Sequence, residues 1–338
     1  MKKTYIIVPM VLLLSVKLFA VSETINLGTN PGTLSTALVN APATVTDLII
    51  TGQMDYRDFT FMKTSMTNLA NLDMSAATIV RYTDTSVSPS VTFGADSIPA
   101  VFKSNKSIKS VKLPSSTVYV SYEAFRECSN LTNIDFGISL KVLAGYTFYK
   151  SGLTGALVLP EGLTYIGEGA FHSNQNLTEI TIPSTATTIM QGAFAGLSGT
   201  TSNVLVYNIY ATTPPLLGAN VFLRKNVNSV LHVSVGYKST YETAGSQWAV
   251  FSIQEDLMTN TSQISQTGDF NAFVSENILS VKSDKEFSQI KIYSIAGKMI
   301  QSTYVNSNNY STKMPTKGIY LVNIVFNNGA TKVIKVIN

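Results

Sequence analysis

Three side chains are the scarcest reactive groups in this 338-residue sequence: the thiol of Cys128 and the imidazoles of His172 and His232. A thiol within hydrogen-bond reach of an imidazole makes a nucleophile and its base. Cys128 and His172 are the one candidate pair, and they stand 44 residues apart. Asp55, Asp58 and Asp73 offer hard oxygen ligands of the kind calcium takes. Asp58 reads more simply as the N-cap of a helix running to Met66. The sequence holds no Cys-x-x-Cys, no His-Glu-x-x-His, no phosphate-binding glycine loop and no Gly-x-Ser-x-Gly turn. Its 20 acidic residues lie mostly in turns and single out no glycosidase pair. On these grounds no catalytic, metal or cofactor-binding residue is assigned, and the chain is expected not to be an enzyme.

The elements that carry these residues are set by a repeat. Phe102, Phe125, Phe148, Phe171 and Phe194 recur every 23 residues. Phenylalanine is 16 of 338 residues, so four further hits at one offset would arise by chance roughly once in 10^5. Val111, Ile134, Leu157 and Ile180 keep the same register, as do Leu113, Phe136, Leu159 and Ile182, and Val120, Leu143, Ile166 and Ile189. Apolar residues at i and i+2 face one side of a short strand. Pro114, Pro160 and Pro183 follow and end it, since proline has no N–H for the ladder. One coil cannot bury these groups, but stacked coils can, each covering the apolar edge of the next. Two coils amount to about 10 Å along the stack at roughly 4.8 Å each. That separates Cys128 from His172, and Cys128 becomes a buried filler. His172 reads as a solvated turn residue and His232 as a sheet residue.

If the strands join into one parallel sheet, their outward side chains form the recognition face. They are Ser110 and Lys112, Asn133 and Asp135, Ala156 and Val158, and Glu179 and Thr181. The strip is mixed in polarity, with no aromatic ladder and no basic stripe.

Leu177-Thr-Glu-Ile-Thr-Ile-Pro183 and Ile189-Met-Gln-Gly-Ala-Phe194 resemble the BspA-like leucine-rich repeat, and Cys128 falls where that family often has cysteine. The resemblance implies a solenoid of parallel stacked strands and an adhesin-like role. Gly137 stands where proline is usual, the Leu153 unit brings its leading apolar residue one position early, and residues 75–101 exceed one coil.

Lys2 and Lys3, the apolar stretch Ile6 to Val16 and the small Ala20 read as a secretory signal. Without it, 21 basic and 20 acidic residues remain, so nucleic-acid binding has no electrostatic footprint. One cysteine excludes an internal disulfide framework. After Leu257 a polar stretch to Asp269 reads as a linker, and strand-like segments punctuated by Ala296-Gly297 and Asn328-Gly329 follow. Ile292-Tyr-Ser-Ile-Ala-Gly-Lys-Met-Ile300, Met314-Pro-Thr-Lys-Gly-Ile-Tyr320 and the ending Lys332 to Asn338 resemble the C-terminal sorting domain of the type IX (Por) secretion system. That resemblance implies handling by the secretion machinery through 270–338 and delivery to the surface of a Gram-negative bacterium.

The expected fold is a β-rich leucine-rich-repeat solenoid of 23-residue coils followed by a small all-β immunoglobulin-like sandwich. Its parts are a signal at 1–20, an N-terminal cap with irregular repeats at 21–95, regular repeats at 96–202, an irregular terminal cap at 203–256, a linker at 257–269 and the sandwich at 270–338. The expected function is recognition of an exterior protein or polysaccharide, with a structural component of the envelope as the alternative and an unrecognised hydrolase as a remote third.

Overall fold

The computed structural model describes residues 20–197, 204–257, 264–267, 270–275, 278–294, 299–314, 318–329 and 331–337. The expected signal, apart from Ala20, and the Ala296-Gly297 turn lie outside these residues.

The 23-residue spacing produces coils with two strands each. On the front, strands Ser22–Asn26, Asp47–Met54, Asn71–Ile79, Ser110–Lys112 and Asn133–Asp135 form one parallel sheet. Strands Thr154–Val158, Asn176–Ile182, Val206–Ile209, Val230–Ser234 and Ser252–Leu257 form a second. On the back, six two-residue strands stack in parallel from Ser97–Ile98 through Tyr119–Val120, Val142–Leu143, Tyr165–Ile166 and Thr188–Ile189 to Leu216–Leu217.

The front face is therefore not the single continuous sheet that the spacing suggested. The break falls at the coil whose leading Leu153 comes one position early. There the chain takes up the missing residue at Gly155, with φ +70°, and the register shifts between Gly155 and Ala156. That shift lies in the pairing with the next strand, Asn176–Ile182, whereas no ladder joins Thr154–Val158 to Asn133–Asp135.

Between front and back runs a spine of phenylalanines. Phe102, Phe125, Phe148, Phe171 and Phe194 are buried and stack nearly parallel, with ring centroids 5.4, 5.3, 5.5 and 5.6 Å apart. Phe59 meets the spine edge-on at one end and Phe222 extends it at the other. Val120, Leu143, Ile166 and Ile189 are fully buried behind them. Each buried side chain of this size stabilises by about 1.5–3 kcal/mol relative to exposure.

A second row explains Cys128. Asn105, Cys128, Ser151 and Asn174 stand three residues after successive phenylalanines. The Cys128 thiol donates to the Phe102 carbonyl, Ser151 to that of Phe148, and Asn174 to those of Phe148 and Phe171. Each hydroxyl, amide or thiol satisfies carbonyls that a 23-residue coil turns inward. Cys128 is fully buried, and burial pushes its thiol up to about 12. Pro114, Pro160 and Pro183 are each followed by a turn closed onto their own carbonyls. Gly137 takes the proline place with φ +69°, where a Cβ would come within 2.8 Å of the Pro114 carbonyl oxygen.

In the N-terminal unit the helix Tyr56–Ser65 starts differently from the sequence expectation. Asp55, not Asp58, is the N-cap, and Asp58 is the third helical residue of a capping box. The Asp58 carboxylate accepts from the backbone N–H groups of Asp55, Gly32 and Leu34 at 2.9, 2.7 and 3.0 Å. Three inward N–H groups need one acceptor, and only a carboxylate two residues into the helix reaches all of them. Both Asp55 and Asp58 are thereby spent on structure. The excess length of 75–101 forms a hairpin, Tyr82–Asp84 against Val91–Phe93. It is held to the helix by Tyr56 stacked on Phe93 and by the Arg57 guanidinium over Tyr82.

The unit 204–257 caps the stack with Trp248, Tyr241, Phe222 and Phe251 packed together. Beyond it, within the expected linker, Ile264–Thr267 pairs antiparallel with Phe270–Ser275. The C-terminal domain is antiparallel throughout. Strand Ile278–Ser294 pairs along its first half with Phe270–Ser275 and along its second with Ile319–Phe326, while Met299–Lys313 follows its whole length. The register breaks between Lys282 and Phe287, and the strands on either side of the break stay within one sheet. Leu279, Val281, Phe287, Ile290, Ile292, Val322 and Ile324 are its buried core. The turn at Asn328-Gly329 forms as expected, with Gly329 donating to Phe326.

Candidate functional site

The eight side chains expected on the front face divide between the two sheets. In the first, Asn71, Ser110 and Asn133 form one row and Asp73, Lys112 and Asp135 the next. Lys112 pairs with Asp73 at 2.7 Å across strands. Burial works against the Asp73 carboxylate, but hydrogen bonds from Lys112 and Ser75 outweigh it and leave its pKa below the ordinary value. Asp135 is exposed and its carboxylate accepts from the Gly137 N–H. In the second sheet, Ala156 pairs with Glu179 and Val158 with Thr181. Ala156 is exposed and Val158 half-buried.

Thr181 departs from expectation. It points away from the core yet is 1% exposed, and its hydroxyl has no hydrogen-bond partner among the described residues. Its register neighbours are Val158 and Asn208, and Asn208 donates diagonally to Glu179 at 2.5 Å. Alternation points Thr181 outward, yet its surroundings in the sheet cover it. The same row continues to His232, whose Nδ1 lies 2.8 Å from Asp256. His232 is a sheet residue, as its neighbours suggested.

Cys128 and His172 do not meet. The thiol is bonded to the Phe102 carbonyl, whereas the His172 ring is 2.7 Å from the Ser173 hydroxyl and packs on Tyr149 at 5.2 Å. His172 is half-buried rather than solvated, because Tyr149 of the preceding coil covers it. Burial, helped by Lys150 and Arg224, lowers its pKa.

The back of the solenoid carries a feature that alternation in the front strands does not reveal. The residue after each phenylalanine runs Lys103, Arg126, Tyr149, His172. Arg126 lies over the Tyr149 ring at 5.1 Å and Tyr149 against His172. Beside this row, Tyr122 meets Tyr146 edge-on at 5.7 Å, and Tyr146 meets Tyr149 at 5.7 Å. The Tyr146 hydroxyl donates to Glu168, which pushes its pKa up to about 12. Tyr122 also lines a cavity of about 510 Å³ with Tyr56, Phe59, Phe93 and Tyr119. The signal was available in the sequence, at one to three residues from the repeating phenylalanines, but these tyrosines do not repeat at one fixed offset.

With this geometry in hand, comparison with known proteins is informative. The BspA type leucine rich repeat region matches residues 97–211 in six copies, and the secretion system C-terminal sorting domain matches residues 275–338. Residues 97–211 thus carry BspA-type leucine-rich repeats and residues 275–338 a secretion system C-terminal sorting domain. It is a secreted or cell-surface protein. No curated protein matches it. A crystal structure of a leucine-rich repeat protein from Bacteroides ovatus ATCC 8483 is 20% identical over 44% of this chain and 39% of that one, with a TM-score of 0.26. The BspA-type repeats coincide with the phenylalanine spine and the back ladder. The sorting-domain match coincides with the antiparallel domain, apart from its first strands.

Proposed function

We propose that this BspA-type protein works by recognition and not by turnover: the solenoid binds a protein or polysaccharide outside the cell, as an adhesin does, and residues 270–338 serve its export. The observation that carries the reading is where the reactive groups are placed. Cys128, Asp55 and Asp58 are committed to inward carbonyls and N–H groups. Most of the side chains left on the outer faces of both strand ladders are polar or aromatic groups set in rows by the coil repeat. Such rows favour an extended partner contacted at many points over a small molecule held at one. On this reading a structural partner in the envelope is the alternative occupant.

The purified chain is applied to arrays of glycans and extracellular matrix proteins, alongside a panel of glycoside, peptide and ester substrates. Binding on the arrays without turnover is expected. Turnover would overturn the non-enzymatic reading, and empty arrays together with co-purification of an envelope protein would replace adhesion by assembly.

A further inference from the structure

Resting on that reading, we propose that the back of the solenoid, from the aromatic cavity across Tyr119 and Tyr122 to Tyr149, binds a neutral linear polysaccharide.

Tyr122 is 54% exposed and Tyr119 38%, the two exposed aromatic rings among the described residues of the solenoid. A pyranose has an apolar face and a hydroxyl rim, so it stacks on an exposed aromatic ring while its rim seeks polar partners. The cavity beside these rings supplies both: the rings of Tyr56 and Phe93, and the polar Thr92, Ser97 and Ser121. Further along, Tyr149 is held between Arg126 and His172 and offers its rim rather than its face.

The backbone makes room for these rings. A Cβ at Gly145 would lie 3.2 Å from the Tyr122 ring, and one at Gly169 2.7 Å from that of Tyr146. Tyr146 itself has φ +53°, in a row where the next two coils place Gly169 and Gly192. A bulky residue pays for that conformation where glycine does not.

Charge argues for a neutral ligand. Arg126 is paired with Glu123 and Glu127, and Lys103 with Glu123. These cations are answered within the protein, so the Tyr119 and Tyr122 end of the strip has little to recruit sulfate, uronate or phosphate; Lys150, over the Tyr149 ring at 5.3 Å, is the exposed cation at the far end. The repeat argues for a polymer. The cavity, Tyr122 and Tyr149 lie on neighbouring coils, each about 4.8 Å further along the stack, so an extended chain of rings can reach from one to the next.

The test is affinity electrophoresis of the full purified chain in gels containing hydroxyethylcellulose, xylan, galactomannan or soluble starch, with heparin as the anionic comparison. Retardation in at least one neutral gel is expected, weakened at least tenfold by Tyr122→Ala and by Tyr119→Ala. Tyr122→Phe, which keeps the ring, should retain it. Tyr304→Ala, an exposed tyrosine of the C-terminal domain, should change nothing. Circular dichroism melts identify any variant that fails to fold, and Tyr122→Phe against Tyr122→Leu then decides on folded protein. No retardation in any neutral gel, preference for heparin, or retardation indifferent to Tyr122 and Tyr119 would overturn the proposal. If glycans fail but a matrix protein binds, the recognition reading stands and this inference falls. If the chain cleaves the polysaccharide, that reading falls first.

Discussion

Phe148→Ala tests the spine that holds the coils together. Phe148 is fully buried, stacked at 5.3 Å on Phe125 and 5.5 Å on Phe171, and edge-on to Phe136 at 5.7 Å. Truncation removes the burial of the ring and three aromatic contacts, each worth about 0.5–1.5 kcal/mol beyond area. Neighbouring coils are tied by backbone hydrogen bonds and cannot collapse into the space, so the full cost of about 3–5 kcal/mol should appear. For a cooperative body of this size that lowers Tm by roughly 6–20 °C. Thermal and urea melts followed by circular dichroism read it. The solenoid also predicts the pattern of coupling. Phe148→Ala and Phe171→Ala share a contact and should be non-additive by at least about 0.5 kcal/mol. Phe102→Ala and Phe194→Ala, several coils apart, should add to within about 0.5 kcal/mol. A loss below about 1.5 kcal/mol for Phe148→Ala, or equal coupling in both pairs, would refute the stacked spine.

Asp58→Ala leaves the N–H groups of Asp55, Gly32 and Leu34 without their acceptor and should cost about 2–4 kcal/mol, read by the same melts; a loss no larger than that of a surface aspartate would contradict its role. Cys128, fully buried with its thiol at about 12, is protonated throughout neutral pH; labelling by a thiol reagent at pH 8 should wait for unfolding and rise with urea along the melting curve, and rapid labelling of native protein would place the thiol elsewhere. Gly167→Ala brings a Cβ to 2.5 Å from the backbone of Ala144 and Gly145 and should destabilise by at least about 1 kcal/mol, whereas Gly236→Ala, with open space around it, should show only the cost of its left-handed backbone.

Much of the solenoid was legible because burial at Phe125, Val120 or Leu113 answers to a 23-residue period that any one coil displays. Cys128 shows where legibility thins: its burial follows from the period, but its bond to the Phe102 carbonyl depends on which way the coil turns its C=O groups. The N-cap was misplaced from Asp55 to Asp58 because both are good caps and only the chain at Gly32 and Leu34 decides between them. The front sheet was read as unbroken because a one-residue irregularity at Leu153 looks minor in sequence, yet one residue in a ladder of period two is a register change. Thr181 was placed at the surface by alternation alone, which counts direction and not what covers the side chain. The tyrosines of the back escaped because Tyr122, Tyr146 and Tyr149 converge from different offsets, and only folding brings them side by side. In the C-terminal domain the polar run from Ser283 to Glu286 looks like a turn, yet Ile278–Ser294 passes through it as one strand with a register break.

Display of the solenoid outside the cell through residues 270–338 is tested most directly on intact cells. Antibodies against the solenoid should label intact cells making the whole chain. Cells making the chain without residues 270–338 should lose that labelling while the solenoid accumulates, folded, inside the outer membrane. Equal labelling of intact cells by both forms would contradict it.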